Sequence, residues 1–290
     1  MWFKTLLTFV AVQAAAQSNP FRPPGPNDVR SPCPGLNSLA NHGEKYTLLG
    51  DIKAKNPGFI PHNGRKITVP MVVDAFKEAM NVGADFVTAA GTIALQANPG
   101  LFSTSFDLND VKKHNFPLEH DASLSRQDAF FNRDQSFDND VWSQTLSHFE
   151  GLDTATIQAA SDARWAREND SLAINPSVVF GARQLVVSLT ETALYLSALG
   201  DPVSGAAPVP FIKSFFEQEK LPFDLGWTKP DQETNLATLG AMVSLLQLAN
   251  PGAVPEGLNL GTGTVRDVFN LIDPVTGKLT TVTCALLGLC

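Results

Sequence analysis

The sequence predicts an all-α protein, a single globular helical domain of about eight to ten helices with little β-structure. Apolar residues recur at the spacing of a helix along most of the chain, and Pro- and Gly-rich stretches separate these segments. No stretch before the C-terminal tail alternates apolar and polar residues as a strand does. With 290 residues, 43% of them hydrophobic and 17% charged, the chain can build a core that encloses a cofactor.

The N-terminal region predicts a secreted, extracellular protein. Residues 1–16 have the pattern of a signal peptide, in which Lys4 is the lone charge before an apolar run. Residues 17–30 are rich in Pro, Gly and Asn and are expected to form an extended arm. We expect the main domain to span 31–252. The tail, 253–290, is expected either to be removed on maturation or to serve dimerisation, so the protein is a monomer or a homodimer.

Charge and hydropathy exclude two classes of partner. The net charge of −8 and the pI near 5.1 leave no basic stripe for phosphates, so a nucleic-acid partner is not expected. Beyond the predicted signal, no apolar run is long enough to cross a bilayer, and no membrane partner is expected. Asn169-Asp170-Ser171 is the only N-glycosylation sequon, which predicts a glycoprotein.

The first short helix is predicted to follow Cys33, which lies between Pro32 and Pro34. The two prolines largely decide the backbone of the cysteine. Residues from about Leu36 are compatible with a helix, so the sulfur is expected just before a helix N-terminus, where amides and the helix dipole favour a thiolate. A thiolate in this position can bind a metal. A small buried cysteine or half of a disulfide is the alternative interpretation.

The chain has three cysteines, an odd number for a secreted protein. Cys284 and Cys290 lie close together in the tail and can pair with each other, within one chain or between chains, which leaves Cys33 unpaired. An unpaired cysteine in an oxidising compartment needs a reason to persist, and ligation to iron would provide one.

Further helices are predicted along the rest of the chain. Turn-forming residues mark 56–64 as a loop. The stretch 69–98 is expected to be two helices, with breaks at Gly83 and Gly91. The remaining helices are predicted at about 125–132, 138–149, 154–168, 176–199, 211–219, 232–249 and 264–271.

The turn 118–123 is predicted between these helices and contains Glu119-His120-Asp121, followed by Ser123. A charged triplet of this kind most commonly lies in a solvated surface turn. In a tight turn, however, the Glu119 carboxylate, a backbone carbonyl and the Ser123 hydroxyl can converge as oxygen donors suited to Mg²⁺. A zinc site is disfavoured, because no cysteine or second histidine lies at the usual local spacing.

The predicted helix 176–199 has two apolar faces. One carries a continuous apolar stripe, and the opposite band is apolar apart from Gln184 and Glu191. In one interpretation this second band is a partly solvated face. In the other, Glu191 projects into an apolar cavity, where it can act as a general acid and base.

Taken together, these stretches resemble the fungal haem-thiolate peroxidases, meaning the unspecific peroxygenases and their chloroperoxidase relatives. The matching motifs occur in the family's order over roughly residues 32–251, and the central histidine of Glu-His-Asp is typical of short peroxygenases and of chloroperoxidase. The motifs are Pro32-Cys33-Pro34, Asn41-His42-Gly43, Pro61-His62-Asn63-Gly64, Glu119-His120-Asp121-Ala122-Ser123 and Glu191.

The resemblance implies a haem b whose iron is bound by the Cys33 thiolate, with Glu191 as the acid–base on the opposite side. His120 would lie beside Glu191 and be held by Asp121. A Mg²⁺ bridging to a haem propionate would be bound by Glu119, the backbone carbonyl of His120 and Ser123. Residues expected to contact the haem or to line the substrate channel are Pro34, Leu118, Val187, Leu194, Tyr195 and Phe130 or Phe131.

The resemblance also implies an activity: a secreted peroxygenase that uses hydrogen peroxide to insert oxygen into C–H or C=C bonds of small apolar or aromatic molecules, with peroxidase side activity. Three other functions stay open at this point. A halogenating enzyme could use the same cofactor, a secreted haem-binding protein would need no turnover, and a purely structural helical protein would leave Cys33 unexplained.

Overall fold

Eight α-helices make up about half of the described part of the computed structural model, which covers residues 19–43, 59–100, 103–115 and 118–250. Short 3₁₀ turns lie at Asp110–Lys112 and Phe223–Leu225. The helices are α1 (Pro34–Asn41), α2 (Val69–Met80), α3 (Ala84–Ala97), α4 (Asn139–Ser147), α5 (Ile157–Ile174), α6 (Ala182–Leu199), α7 (Val209–Glu217) and α8 (Leu236–Ala249).

The β-structure of the described residues is confined to one small sheet and three isolated bridges. Strands β1 (Thr154–Ala155) and β2 (Ala207–Pro208) pair antiparallel, with Ala155 opposite Ala207. The predicted all-α class with little β-structure is therefore confirmed.

Helix α6 lies at the centre of the fold. It packs against α5 and α8, and α2 packs against α3, while α1 contacts α2 and α7. Leu185, Leu189, Ala193 and Leu196 of the predicted apolar stripe are buried. Burial of each of the three leucine side chains stabilises the fold by about 1.5–3 kcal/mol, and this packing fixes the position of α6.

The predicted interruption of the stretch 69–98 is correct at Gly83 and wrong at Gly91. Helix α2 ends at Asn81, which takes the left-handed conformation with φ 54°, and Gly83 caps the start of α3. Gly91 stays inside α3 because it faces α2: a Cβ there would lie 3.3 Å from Cγ1 of Val69. The glycine therefore permits close packing of two helices and breaks neither.

Other predicted helices also differ from the structure. The helix predicted at 154–168 runs from Ile157 to Ile174, and the one predicted from 232 begins at Leu236. Residues 125–132 form turns and not a helix, because Arg126 pairs in a bridge with Phe137 and Asp138 donates its backbone N–H to the carbonyl of Ser125 at 2.9 Å. The helix predicted from 176 begins only at Ala182. The Asn175 side chain accepts the backbone N–H of Ser177 at 2.9 Å, which favours a turn at that point.

The two His-containing motifs near the N-terminus fasten the arm to α1. His42 contacts the carbonyl of Asn19 through Nδ1 at 2.7 Å, and its Nε2 accepts the backbone N–H of Leu221 at 3.2 Å. A Cβ at Gly43 would lie 2.0 Å from the carbonyl oxygen of Ile60, so no larger residue fits there. His62 contacts the carbonyl of Ala40 at 2.9 Å.

Several predictions lie outside the described residues: the signal peptide at 1–16, the helix at 264–271 and the tail that contains Cys284 and Cys290. Cys33 itself is a free cysteine. Within the described ranges, none of the helices is both long enough and apolar enough to serve as a membrane span.

Candidate active site

An apolar cavity lies between helices α1, α2, α3, α6 and α7 and the loop 118–127. Most of its lining is aliphatic or aromatic. Asp121 does not line it. The candidate site residues that do line it are Cys33, Pro34, Leu118, Glu119, His120, Ser123 and Glu191.

The residues expected to line a substrate channel are placed in two different ways. Val187, Leu194 and Tyr195 line the cavity one turn either side of Glu191 on α6. The prediction for Phe130 and Phe131 is wrong, because these side chains are 54% and 46% exposed and pack edge to face on each other at 5.1 Å. Their segment is a turn and not a helix, which places both rings on the outer surface.

Cys33 is the N-cap of α1, with an extended backbone at φ −82° and ψ 111°, followed directly by Pro34 at the first helical position. Its accessible surface faces the cavity, away from bulk water. Loss of hydration raises the pKa of Cys33 to about 11, while the backbone N–H groups of Leu36 and Gly35 act in the opposite direction. The helix terminus therefore favours the thiolate as predicted, but burial outweighs it, and the anion needs a bound cation.

Glu191 projects from α6 into the cavity, and its side chain is 60% exposed there. Its negative charge contributes to the raised pKa of Cys33, after burial, so the two groups interact electrostatically through the cavity. The sulfur on α1 and the carboxylate on α6 thus belong to one site, with apolar surface between them. This arrangement suits a ligand that binds a sulfur and needs a proton-transferring group nearby.

His120 is buried beside Glu191, and Phe180 packs edge to face on its ring at 6.0 Å. Nδ1 lies 2.5 Å from the backbone carbonyl of Asp121, and Nε2 lies 3.4 Å from Oε2 of Glu191 without the alignment of a hydrogen bond. Burial lowers the pKa of His120, but Glu191 and the Asp121 carbonyl outweigh it, so the pKa rises above its usual value. The imidazolium form places a proton on both nitrogens, each facing an acceptor.

Asp121 holds His120 through its backbone and not through its carboxylate. Oδ2 of Asp121 accepts the backbone N–H of Val179 at 3.2 Å and lies 3.7 Å from Nε2 of His114. Burial raises the pKa of Asp121. The carboxylate therefore ties the turn 118–123 to the segment before α6, which keeps His120 and Glu191 at a fixed separation.

Glu119, the predicted metal ligand, already accepts three hydrogen bonds. Oε2 receives Nδ1 of His114 at 2.8 Å and the backbone N–H of Asn115 at 2.9 Å, and Oε1 receives Nε2 of Gln135 at 2.6 Å. A carboxylate has about four acceptor positions, so one is left for a cation. Burial raises the pKa of Glu119, and a nearby cation would counteract that shift.

The rest of the predicted Mg²⁺ set consists of a backbone carbonyl and the Ser123 hydroxyl. In the described ranges no three acidic, histidine or cysteine side chains are grouped to hold a metal ion. The predicted Mg²⁺ set differs from such a group, because Glu119 is its only acidic side chain and its other two donors are a backbone carbonyl and a hydroxyl. Its oxygen donors fit Mg²⁺ chemically, provided that water or a ligand carboxylate completes the shell.

Asp128 anchors this turn from behind, and the sequence analysis did not identify it. Its carboxylate accepts the backbone N–H of Ala122 at 2.9 Å and the Nδ2 group of Asn175 at 2.8 Å, and it also accepts the hydroxyl of Ser171. Ala122 has φ 67°, a left-handed conformation that costs energy for a residue with a Cβ. The buried Asp128 contacts hold Ala122 in that conformation.

A second network that sequence reasoning missed runs from the turn to the Cys33 loop. Arg126 donates Nη2 to Oε1 of Glu219 at 2.7 Å, and the same oxygen accepts Nδ2 of Asn37 at 2.6 Å. Asn37 in turn accepts the backbone N–H of Ser31 at 2.9 Å. Because Glu219 is remote from Asn37 and Arg126 along the chain, no local pattern could indicate this network.

Comparison with known proteins gives one family. The family model described as "Peroxidase, family 2" matches residues 19–44 and 54–232 of this chain. The match includes the Cys33 loop, the turn 118–123 and helix α6, and therefore every wall of the site that holds a candidate residue.

Individual relatives agree with this match at modest identity. The chain is 25% identical to an aromatic peroxygenase of Cyclocybe aegerita over 72% of its length and 26% identical to a chloroperoxidase of Leptoxyphium fumago over 83%. It spans 57% and 65% of the length of these two relatives. It is also 26% identical to an aromatic peroxygenase of Coprinellus radians, over 84% of this chain and 92% of the relative.

Proposed function

This chain belongs to peroxidase family 2, which implies a haem-type cofactor, and from that premise we propose that it is a peroxygenase. In this proposal it uses hydrogen peroxide to insert oxygen into C–H or C=C bonds of small apolar or aromatic molecules, with peroxidase side activity. The observation that carries the proposal is the shared apolar cavity of Cys33 and Glu191, with His120 beside the carboxylate.

In this proposal the Cys33 thiolate would bind the iron of haem b, and Pro34 and Leu118 would contact the cofactor. The position of Cys33 at the N-terminus of α1 and in the cavity wall supports this assignment. A bound metal cation would offset the burial that raises the pKa of Cys33. A haem with thiolate ligation supplies, when bound, the chemistry that cleaves the peroxide O–O bond and oxidises an organic substrate.

Glu191 is proposed as the group that moves the proton. Its carboxylate would accept a proton from one oxygen of hydrogen peroxide and return it to the other. The imidazolium of His120, with Nε2 at 3.4 Å, balances the charge of Glu191 and limits the directions in which the carboxylate can turn. Asp121 contributes indirectly, by holding His120 through its carbonyl oxygen.

Glu119, the His120 carbonyl and Ser123 are proposed to bind Mg²⁺ next to the cofactor. The free acceptor position of Glu119 and the rigid turn around Ala122 support this proposal. The cation would neutralise a carboxylate of the haem and tie it to the turn.

The lining of the cavity supports apolar substrates. Phe76, Phe86, Val87 and Leu194 form much of its surface, and few polar groups interrupt them. Such a site excludes water and selects molecules by size and shape more than by hydrogen bonding.

A halogenating reaction is the second candidate, because one relative that covers most of the chain is named a chloroperoxidase. Incubation with ¹⁸O-labelled hydrogen peroxide, a simple arene and chloride, in parallel with monochlorodimedone, separates the candidates. The proposal predicts ¹⁸O in a hydroxylated arene. Chlorination of monochlorodimedone without labelled arene would favour the halogenase, and a protein that binds haem without either product would be non-catalytic.

Secretion remains part of the proposal. Asn169 of the single sequon is exposed on α5, as attachment of a glycan requires. Recovery of the protein from the culture medium with an N-terminus after residue 16 is the expected result. Retention inside the cell with an intact N-terminus would contradict it.

A further inference from the structure

Arg126 is a cation in the wall of the cavity that the proposed mechanism does not use. Arg126 is buried, with only 3% of its surface exposed. Among the described residues that line the cavity, it is the only arginine or lysine. A buried guanidinium in a mostly apolar wall is costly unless its charge and its donors are used.

Three of the five N–H groups of Arg126 have partners in the described part of the chain. Nε donates to the backbone carbonyl of Gln135 at 3.1 Å, Nη1 to Oγ of Ser125 at 2.6 Å and Nη2 to Oε1 of Glu219 at 2.7 Å. Each terminal nitrogen keeps one further hydrogen. The guanidinium is thus fixed in place and still has donors to offer.

The position of Arg126 relates it to both faces of the proposed cofactor site. Burial lowers the pKa of Arg126, and the negative charges of Glu219, Cys33 and Glu191 oppose that shift. Arg126 is therefore within electrostatic range of the sulfur and of the acid–base carboxylate. Arg126, Cys33 and Glu191 all line the same cavity, so a haem held there would lie within reach of the guanidinium.

The same arginine is linked to the predicted Mg²⁺ turn. Gln135 accepts Nε of Arg126 with its carbonyl and donates Nε2 to Glu119 at 2.6 Å, while its Oε1 has no partner among the described residues. Haem carries its two carboxylates on one edge. The magnesium turn and Arg126 thus offer two cations on neighbouring parts of the cavity wall for two carboxylates.

We propose that Arg126 binds a carboxylate of the haem through its remaining N–H groups and is a second anchor of the cofactor beside the Mg²⁺ turn. This inference rests on the proposed function, which places haem in the cavity. Guanidinium groups bind carboxylates through paired, charge-assisted hydrogen bonds, and Glu219 and Ser125 hold this one ready to do so. Glu119 and Glu191 line the cavity and Glu219 pairs with Arg126, so a buried haem carboxylate would add to several negative charges, which the guanidinium offsets.

The test compares the holoenzymes of wild type, Arg126→Gln, Arg126→Lys and the control Arg164→Lys. Arg164 is equally buried and pairs with Glu168 at 2.8 Å, but it does not line the cavity. Resonance Raman spectroscopy records the propionate bending bands, and transfer of haem to excess apomyoglobin gives the rate of haem loss. Arg126→Gln is expected to shift a propionate band and to speed haem loss about 10- to 100-fold, as the loss of a charge-assisted hydrogen bond predicts.

Arg126→Lys keeps the charge but not the paired hydrogen-bond geometry. It should shift the same propionate band and speed haem loss less than Arg126→Gln does. The control Arg164→Lys should change neither the band nor the rate of haem loss. If Arg126→Gln yields no folded holoenzyme, the band of Arg126→Lys decides. Unchanged propionate bands in the Arg126 variants, with haem bound normally, would overturn the inference and leave the proposed function intact. A wild-type protein without haem would instead refute the proposed function.

Discussion

Nε2 of His120 lies 3.4 Å from Oε2 of Glu191, although the two residues stand on different elements of the fold. The contact exists because Asp121 fixes His120 through its carbonyl and fixes the segment before α6 through its carboxylate. A carboxylate in an apolar cavity thus has a buried, positively charged neighbour that directs it. The predictions below follow from this pair and from the residues around it.

Replacing Glu191 with Gln should lower peroxide-driven oxidation by about 100- to 10,000-fold, since a positioned general acid–base contributes that much. The absorption spectrum of the bound cofactor should stay unchanged, because Glu191 does not ligate it. Steady-state kinetics and the ultraviolet–visible spectrum measure the two effects. Glu150→Gln, on an exposed position outside the cavity, is the matched control. Near-normal turnover in Glu191→Gln would remove the assigned role.

Magnesium should be present at about one ion per chain and should depend on Glu119, whose carboxylate supplies the only anionic donor of the proposed set. Elemental analysis of the purified holoenzyme measures the ion before and after Glu119→Gln. The variant is expected to lose the ion and to release haem faster, whereas Ser147→Ala, on the exposed end of α4, should retain it. An equal magnesium content in wild type and Glu119→Gln would contradict the site.

Val187→Phe should narrow the cavity one turn before Glu191 and change the choice of substrate. The ratio of kcat/KM for toluene to that for naphthalene is expected to rise by about tenfold, because pocket size discriminates between apolar molecules by such factors. Phe130→Ala is the control, since that ring lies on the outer surface. An unchanged ratio in Val187→Phe would mean that substrates do not pass this part of α6.

The stability of the fold should decrease in mild acid because of His42. Burial lowers the pKa of His42, and its Nε2 must be unprotonated to accept the N–H of Leu221. A histidine with a lowered pKa takes up a proton more readily when unfolded, so its contribution is complete above the usual pKa near 6.5 and is lost as the pH falls below it. The slope is at most about 1.4 kcal/mol per pH unit.

Urea unfolding of wild type, His42→Gln and His148→Gln between pH 5 and 8 tests this prediction. His42→Gln should flatten the pH dependence, while His148→Gln, at a partly exposed position, should leave it as in wild type. The same slope in all three proteins would show that His42 does not carry the effect.

The sequence predicted those parts of the site that local patterns encode. Cys33 stands out because prolines flank it, and Glu191 because it interrupts an apolar band on a helix. The turn around Glu119 combines several oxygen donors within five residues. Each of these signals lies within one element, and the structure places all three residues around one cavity.

Features that depend on contacts between distant segments could not be predicted in this way. In the sequence, Arg126 cannot be distinguished from a surface arginine, because its partner Glu219 is close to it only in the folded structure. Gly91 resembles a helix breaker in the sequence, and only the structure shows that it lies against Val69 and permits close helix packing. Phe130 and Phe131 lie in a stretch with helical spacing, but the stretch forms a turn in which the backbone N–H of Phe131 donates to the carbonyl of Asp128 at 2.9 Å, and both rings are exposed. Tertiary contacts override local propensity at each of these positions.

The central claim is that the sulfur of Cys33 ligates the iron of a bound haem. The difference spectrum of the reduced protein with and without carbon monoxide tests it most directly, because thiolate ligation moves the Soret band to long wavelength. The account predicts this long-wavelength band in the wild-type holoenzyme and its loss in Cys33→Ser. A wild-type band at the position typical of a histidine ligand, or the same long-wavelength band in Cys33→Ser, would contradict the account.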